Sequence, residues 1–187
     1  YDDVLKEAQA KGYAELHPEA DVEGWVACRK IAILTSLASG NQVDFKDIYT
    51  EGITKVTAED FAYAKKAGCA IKLLAVSKKQ GDTYCVMVAP AFVRKENPLY
   101  MVNDVFNAVC VEGNMLGASM FYGSGAGKLP TASAVAGDMV DAARHLGKII
   151  TTFWNPQKLE LAPVGEMTHR FFVRMKSDAK DAKVFGD

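Results

Sequence analysis

Two runs separated by three residues, CAIKLLAVSKK at 69–79 and TYCVMVAPAFV at 83–93, constrain this chain more than any other part of it. QGD between them is a turn signal, and both runs are built of β-branched, aromatic and other apolar residues, so they predict a β-hairpin. The apolar residues of CAIKLLAV and CVMVAPAFV occupy both alternations rather than every second position. A strand of that kind is buried on both faces. The chain's own helices can cover one face, and the other calls for a second copy of the chain or a partner domain.

The rest of the sequence supplies those helices. DDVLKEAQAKG, residues 2–12, opens on acids and closes on Gly12, which predicts a short helix with a favourable dipole and a glycine stop. VEGWVACRKIAILTSLASG predicts a helix over about 23–39 that ends at Gly40, and on it Val26 and Lys30 stand four apart on one face. Thr57 followed by Asp60 is an approximate capping box, and AEDFAYAKKAG after it reads as a third helix stopping at Gly68. FNAVCVEG and LGASMFYG flank Asn114 and predict a second hairpin.

Pro130 and Gly147 then bracket a helix through TASAVAGDMVDAARHLG, whose small side chains predict close packing against a sheet. After it RFFVRM is strand-like, and the charged residues beyond look poorly ordered. Helix, helix, helix, hairpin, hairpin, helix is the order of an α+β domain with a largely antiparallel or mixed sheet, helices packed on one face, and a dimer-forming face opposite.

Charge and composition narrow the function classes. With 22 basic and 23 acidic residues well mixed, the formal charge of −1 makes no field to gather nucleic acid or an acidic membrane surface. No run reaches the roughly 18 continuous apolar residues of a membrane span, and the charged first residues are unlike a signal peptide, so a cytoplasmic location is expected. Cys28, Cys69, Cys85 and Cys110 lie far apart, as do His17, His145 and His169. No zinc spacing results, no metal is expected, and the cysteines read as reduced.

FYGSGAGKLPTASAV, residues 121–135, places three glycines and a lysine just ahead of a helix start. A phosphate-binding P-loop would need glycine where Tyr122 stands and Ser or Thr where Leu129 stands. A dinucleotide fingerprint begun at Gly123 and Gly125 would need a small residue at Lys128 and a βαβ unit around it. Both patterns fail, so the glycines serve either a tight strand-to-helix connection or a close approach to a ligand of another kind.

Four blocks in order, GYAELHPEADVEGWVACRKIAIL, YTEGITKVTAEDF, IKLLA and FNAVCVEGNMLGASMFYGSGAGKLPTASAV, resemble the substrate-binding and dimerisation domain of homoserine dehydrogenase over about residues 1–147. The resemblance implies NADP- or NAD-dependent interconversion of aspartate 4-semialdehyde and homoserine by a homodimer, on the route to threonine, methionine and isoleucine. It implies a catalytic and dimerisation domain over 1–167, with 168–187 a strand and tail that could open a regulatory domain. In that family a Rossmann domain precedes this region and binds the cofactor; no GxGxxG occurs here, so the chain looks like the catalytic half alone and is expected to be inactive by itself.

The same resemblance assigns roles. Lys30 matches the lysine that delivers a proton to the substrate oxygen, Glu15 and Asp21 match acids that hold the substrate amine, and Tyr13 lines the same pocket. Gly123, Gly125 and Gly127 match the loop that closes over the cleft toward the cofactor. The plain alternatives are a surface lysine beside Arg29, and a solvated acidic loop in which Asp21 caps the following helix. Two departures stand out: Val26 occupies a position where the family carries an aspartate, and His17 one where it usually carries another acid. They leave a non-catalytic dimerisation or ligand-binding module as the alternative function.

Overall fold

The structure, a computed structural model, describes residues 2–12, 18–149, 151, 154–168 and 170–174. Helices α1 (Asp2–Ala10), α2 (Glu19–Val22) and α3 (Trp25–Ser39) come first, then the two-residue strands β1 (Asn41–Gln42) and β2 (Tyr49–Thr50), and then α4 (Ala58–Lys66). The first predicted hairpin follows as β3 (Cys69–Gln80) and β4 (Thr83–Arg94), the second as β5 (Phe106–Gly113) and β6 (Gly117–Ser124). Helix α5 (Lys128–Arg144) and strand β7 (Asn155–Lys158) complete the order. The architecture is α+β with mixed and antiparallel sheets, as expected.

The long hairpin is unbroken from Cys69 opposite Arg94 to Gln80 opposite Thr83, closed by the two-residue loop Gly81–Asp82. β2 adds to the outer side of β4 in parallel at Met87 and Val88, giving the order β2-β4-β3. Glu51 donates its N–H to the Val88 carbonyl, so the backbone of even-numbered β4 residues points to the β2 side. Pro90 therefore directs its ring to an edge that β2 has already left, where a missing donor is tolerated.

Val86 and Val88 of β4, with Leu73 and Ala75 of β3, face α3 and close a core around Cys28, Ala32, Val43 and Ile48. The other face is crossed by the 3-10 turn Pro98–Met101. There Lys72 Nζ donates to the carbonyl of Val102 and, at 2.6 Å, to Asn103 Oδ1. That face is covered in part, and β3 from Cys69 to Val76 is half-buried throughout.

Three expectations change. The second hairpin does not join the first: β5 and β6 form a two-stranded sheet of their own, and β1 pairs in parallel with β7 in a third. Helix α5, expected to press its small residues on a sheet, buries none of its residues, and Leu129, Val135, Met139 and Val140 are all exposed. Its small-residue surface is suited to close packing, but none of it is buried in the described core, which lies under α3.

The strand expected at RFFVRM is absent over 170–174, because side chains hold this segment in place of a ladder. Phe172 stacks on Phe92 at 4.7 Å and leans on Tyr63 at 5.7 Å. Arg174 donates to Thr57 Oγ1 at 2.6 Å and bridges Glu59 and Asp60. The tail beyond it lies outside the described residues.

Candidate active site

Two glycines pin the turn between α2 and α3 onto the sheet. Gly24 sits at φ +82, a left-handed torsion that strains any other residue, and a Cβ there would stand 3.3 Å from both Thr50 Cγ2 and Val88 Cγ1. Gly52 packs so closely beneath the turn that a Cβ would overlap the Val22 carbonyl oxygen, which accepts the Ile53 N–H at 2.7 Å. Backbone contact on both sides thus fixes where Asp21 lies and where α3 starts.

On α3 the buried residues are Cys28, Ala32, Thr35 and Ser36, and Lys30 lies on the exposed side between the first two. Its neighbour Arg29 is drawn aside, with its guanidinium 5.2 Å from the centre of the Phe45 ring. Among the described residues the Lys30 ammonium has no ion-pair or hydrogen-bond partner, and the half-buried Val26 one turn before it offers no acceptor. Such an ammonium is free to meet an anionic or developing oxyanion group.

Asp21 is exposed at the end of α2, and its carbonyl accepts the Gly24 N–H at 3.1 Å. No side chain caps α3, whose N-cap is Gly24, so the capping alternative for the Asp21 carboxylate is set aside. Tyr13, Glu15 and His17 lie outside the described residues. Asp21 thus stands at the end of α2, and Val26 and Lys30 stand one turn apart in the first half of α3.

Gly123, Gly125 and Gly127 gather at the far end of β6, and they are glycines for different reasons. Gly123 lies in the strand with open space where a Cβ would stand. Gly125 donates its N–H to the Val105 carbonyl at 2.9 Å, which closes the base of the hairpin, and a Cβ on it would overlap the side-chain amide of Asn107. Gly127, at φ 117 and ψ 153, occupies a region essentially reserved for glycine and is the N-cap of α5. The Gly125 amide is thus spent inside the chain, and the first N–H groups of α5 after Gly127 are the ones its helix leaves unpaired.

Among the described residues, two concavities have Tyr49 of β2 in their lining. A groove of about 610 Å³ between β2 and the segment after β7 is lined by Asp47, Tyr49, Lys158 and Glu160, with Lys158 Nζ 2.7 Å from Asp47 Oδ2. A smaller one of about 180 Å³ is lined by Glu23, Glu51, Gly52 and Lys55. Beside it the Tyr49 phenol is pushed up from its ordinary pKa by burial first and then by the Glu51 carboxylate, to which it donates at 3.1 Å. Among the described residues, neither concavity is lined by Asp21, Lys30, Gly123, Gly125 or Gly127.

The model of the family described as homoserine dehydrogenase matches residues 1–140. This chain belongs to the homoserine dehydrogenase family. It is 41% identical over 175 residues to a homoserine dehydrogenase of Helicobacter pylori, covering 94% of this chain and 42% of that protein. With a homoserine dehydrogenase of Mycobacterium tuberculosis the identity is 46% over 182 residues, again 94% of this chain and 41% of the relative.

The crystal structure of a homoserine dehydrogenase from Thiobacillus denitrificans superposes with a TM-score of 0.75 at 38% identity, over 87% of this chain and 39% of that one. A Staphylococcus aureus homoserine dehydrogenase superposes at 0.69 with 35% identity, over 80% of this chain and 38% of that one. The chain thus spans about two fifths of the length of the family members it matches.

Reading the sequence missed Gly24, Gly52 and Asn107. The first two carry a local signal, since a glycine follows a glutamate in both VEGW and TEGI. Asn107 carries none, because only the closed hairpin brings it against Gly125.

Proposed function

We propose that this chain is the substrate-binding and catalytic portion of a homoserine dehydrogenase, acting on aspartate 4-semialdehyde and homoserine. The observation that carries the proposal is the ammonium of Lys30, without a partner among the described residues, on a helix whose start is locked to the sheet by Gly24 and Gly52, within a chain of that family. When bound, a reduced nicotinamide, NADPH or NADH, would supply the hydride that the aldehyde carbon takes up. The Lys30 ammonium stabilises the negative charge that develops on the aldehyde oxygen and gives that oxygen a proton. Glu15 and Asp21 accept hydrogen bonds from the substrate ammonium, and Tyr13 lines the pocket.

The described residues fit a minor share of cofactor contact. Gly127 with the unpaired N–H groups that open α5 would approach the cofactor, while Gly123 and Gly125 shape the loop. The larger share falls to residues outside this chain. Exposed apolar residues on both faces of the β5–β6 hairpin, among them Val109, Val111, Met120 and Phe121, support pairing with a second copy, since an isolated two-stranded sheet is marginal in water. A location in the cytoplasm accords with such an enzyme; among the described residues no helix is long and apolar enough to cross a membrane.

Lys30→Ala tests the proposal in the complete enzyme, this chain joined to a cofactor-binding half. Losing the proton donor should lower kcat for aldehyde reduction by about 10²–10⁴. An unchanged kcat would refute the role of Lys30.

A further inference from the structure

We infer that Asn107, on β5, is the positioning residue that sets the shape of the 123–127 loop, and so acts in turnover through Gly125. The inference rests on the reading above that this loop closes over the reacting groups. Three observations meet at one point. The Val105 carbonyl accepts the Gly125 N–H at 2.9 Å and also the Asn107 Nδ2 at 3.4 Å, so one oxygen ties the strand, the amide side chain and the loop together. The atoms nearest to a Cβ on Gly125 are all from the Asn107 amide, with Oδ1 at 3.0 Å and Nδ2 and Cγ closer still.

Gly125 has no left-handed torsion, unlike Gly117 on one side of it and Gly127 on the other. The nearest obstacle to a side chain at position 125 is the Asn107 amide, so a Cβ there must displace that side chain from its place beside the loop that leads from β6 into Gly127. Gly127 then makes the turn that only glycine makes, and α5 starts where Asn107 has directed it. The planar amide thus serves as a template for the loop.

This contact makes the two positions interdependent. In the complete enzyme, Asn107→Ala and Gly125→Ala should each lower kcat by about 10–100-fold through misplacement of the loop, with the KM for homoserine changed far less. The double variant should be no worse than Asn107→Ala, because the atoms that Cβ would strike are gone. Losses that multiply in the double variant would overturn the inference.

Amide hydrogen exchange on the 187-residue chain separates this from failure of the functional reading. Asn107→Ala, or the milder Asn107→Ser, should speed exchange at Gly125 at least severalfold while the β3–β4 amides are unchanged. Unaltered exchange at Gly125 would overturn the positioning role. Faster exchange with kcat and KM unaltered in every variant would instead refute the placement of this loop at the reacting groups, and the inference with it.

Discussion

Gly24 does two jobs at one atom, holding a left-handed torsion and letting Thr50 and Val88 within 3.3 Å of where a side chain would begin. Gly24→Ala should therefore cost about 1–2 kcal/mol from the torsion alone, read as a shift of the urea midpoint at unchanged slope. Val26 is a different case. An aspartate there would stand one helical turn from Lys30, on the same face, where it can orient the ammonium or the substrate. Val26→Asp in the complete enzyme should raise turnover, whereas an equal kcat would show that the valine is no handicap. Thr35 is 1% exposed and its hydroxyl has no partner among the described residues, so Thr35→Val should stabilise the chain by about 1 kcal/mol in the same denaturation assay. At this scale sequence reading placed Lys30 on its helix, but it put Asp21 in a loop where the short helix α2 forms, and it could not find Asn107, because its contact joins residues that become neighbours only when the hairpin closes.

Helix α4 shows how an element can be legible while its partner is not. Thr57 and Asp60 stand where a cap was expected, and the Thr57 N–H and hydroxyl both donate to Asp60 Oδ2, at 2.7 and 2.8 Å. Nothing in RFFVRM announced that Arg174 would reach the same group in place of forming a strand. The bond from the Thr57 N–H, then that from its hydroxyl, then the Arg174 charge hold the Asp60 carboxyl below its ordinary 3.8. A lowered carboxyl pKa in the folded state gives stability that is fully present above the unfolded value and is lost as pH falls through the folded one. The melting temperature of the wild type should thus drop more steeply below about pH 4 than that of Asp60→Asn, and parallel acid limbs would contradict this. The hairpins were legible because period-2 patterns and turn residues are local; their separation into distinct sheets was not, because it depends on where Lys72 anchors Val102 and Asn103. Val88, fully buried between α3 and β2, is the keystone of the main sheet, and Val88→Ala should cost about 2–3 kcal/mol in that assay.

The whole molecule is an α+β unit with one well-closed core under α3 and two apolar elements, the β5–β6 hairpin and α5, that leave their surfaces uncovered. The proposal made above assigns their cover to the rest of a homoserine dehydrogenase and a second copy, since this chain spans about two fifths of the length of its relatives. Burial of strands on both faces was legible in the doubled apolar pattern of residues 69–76, and the covering 3-10 turn Pro98–Met101 was not, since its role is set by distant contacts. Sedimentation of the 187-residue chain, paired with thermal melting in homoserine and in NADPH separately, bears most directly on this reading. A dimer that homoserine at about 100 times its Kd stabilises by several degrees, and that NADPH leaves unmoved, is the expected result. A monomer that NADPH stabilises and homoserine does not would contradict it, placing a nucleotide site in the glycine loop and no substrate site beside Lys30.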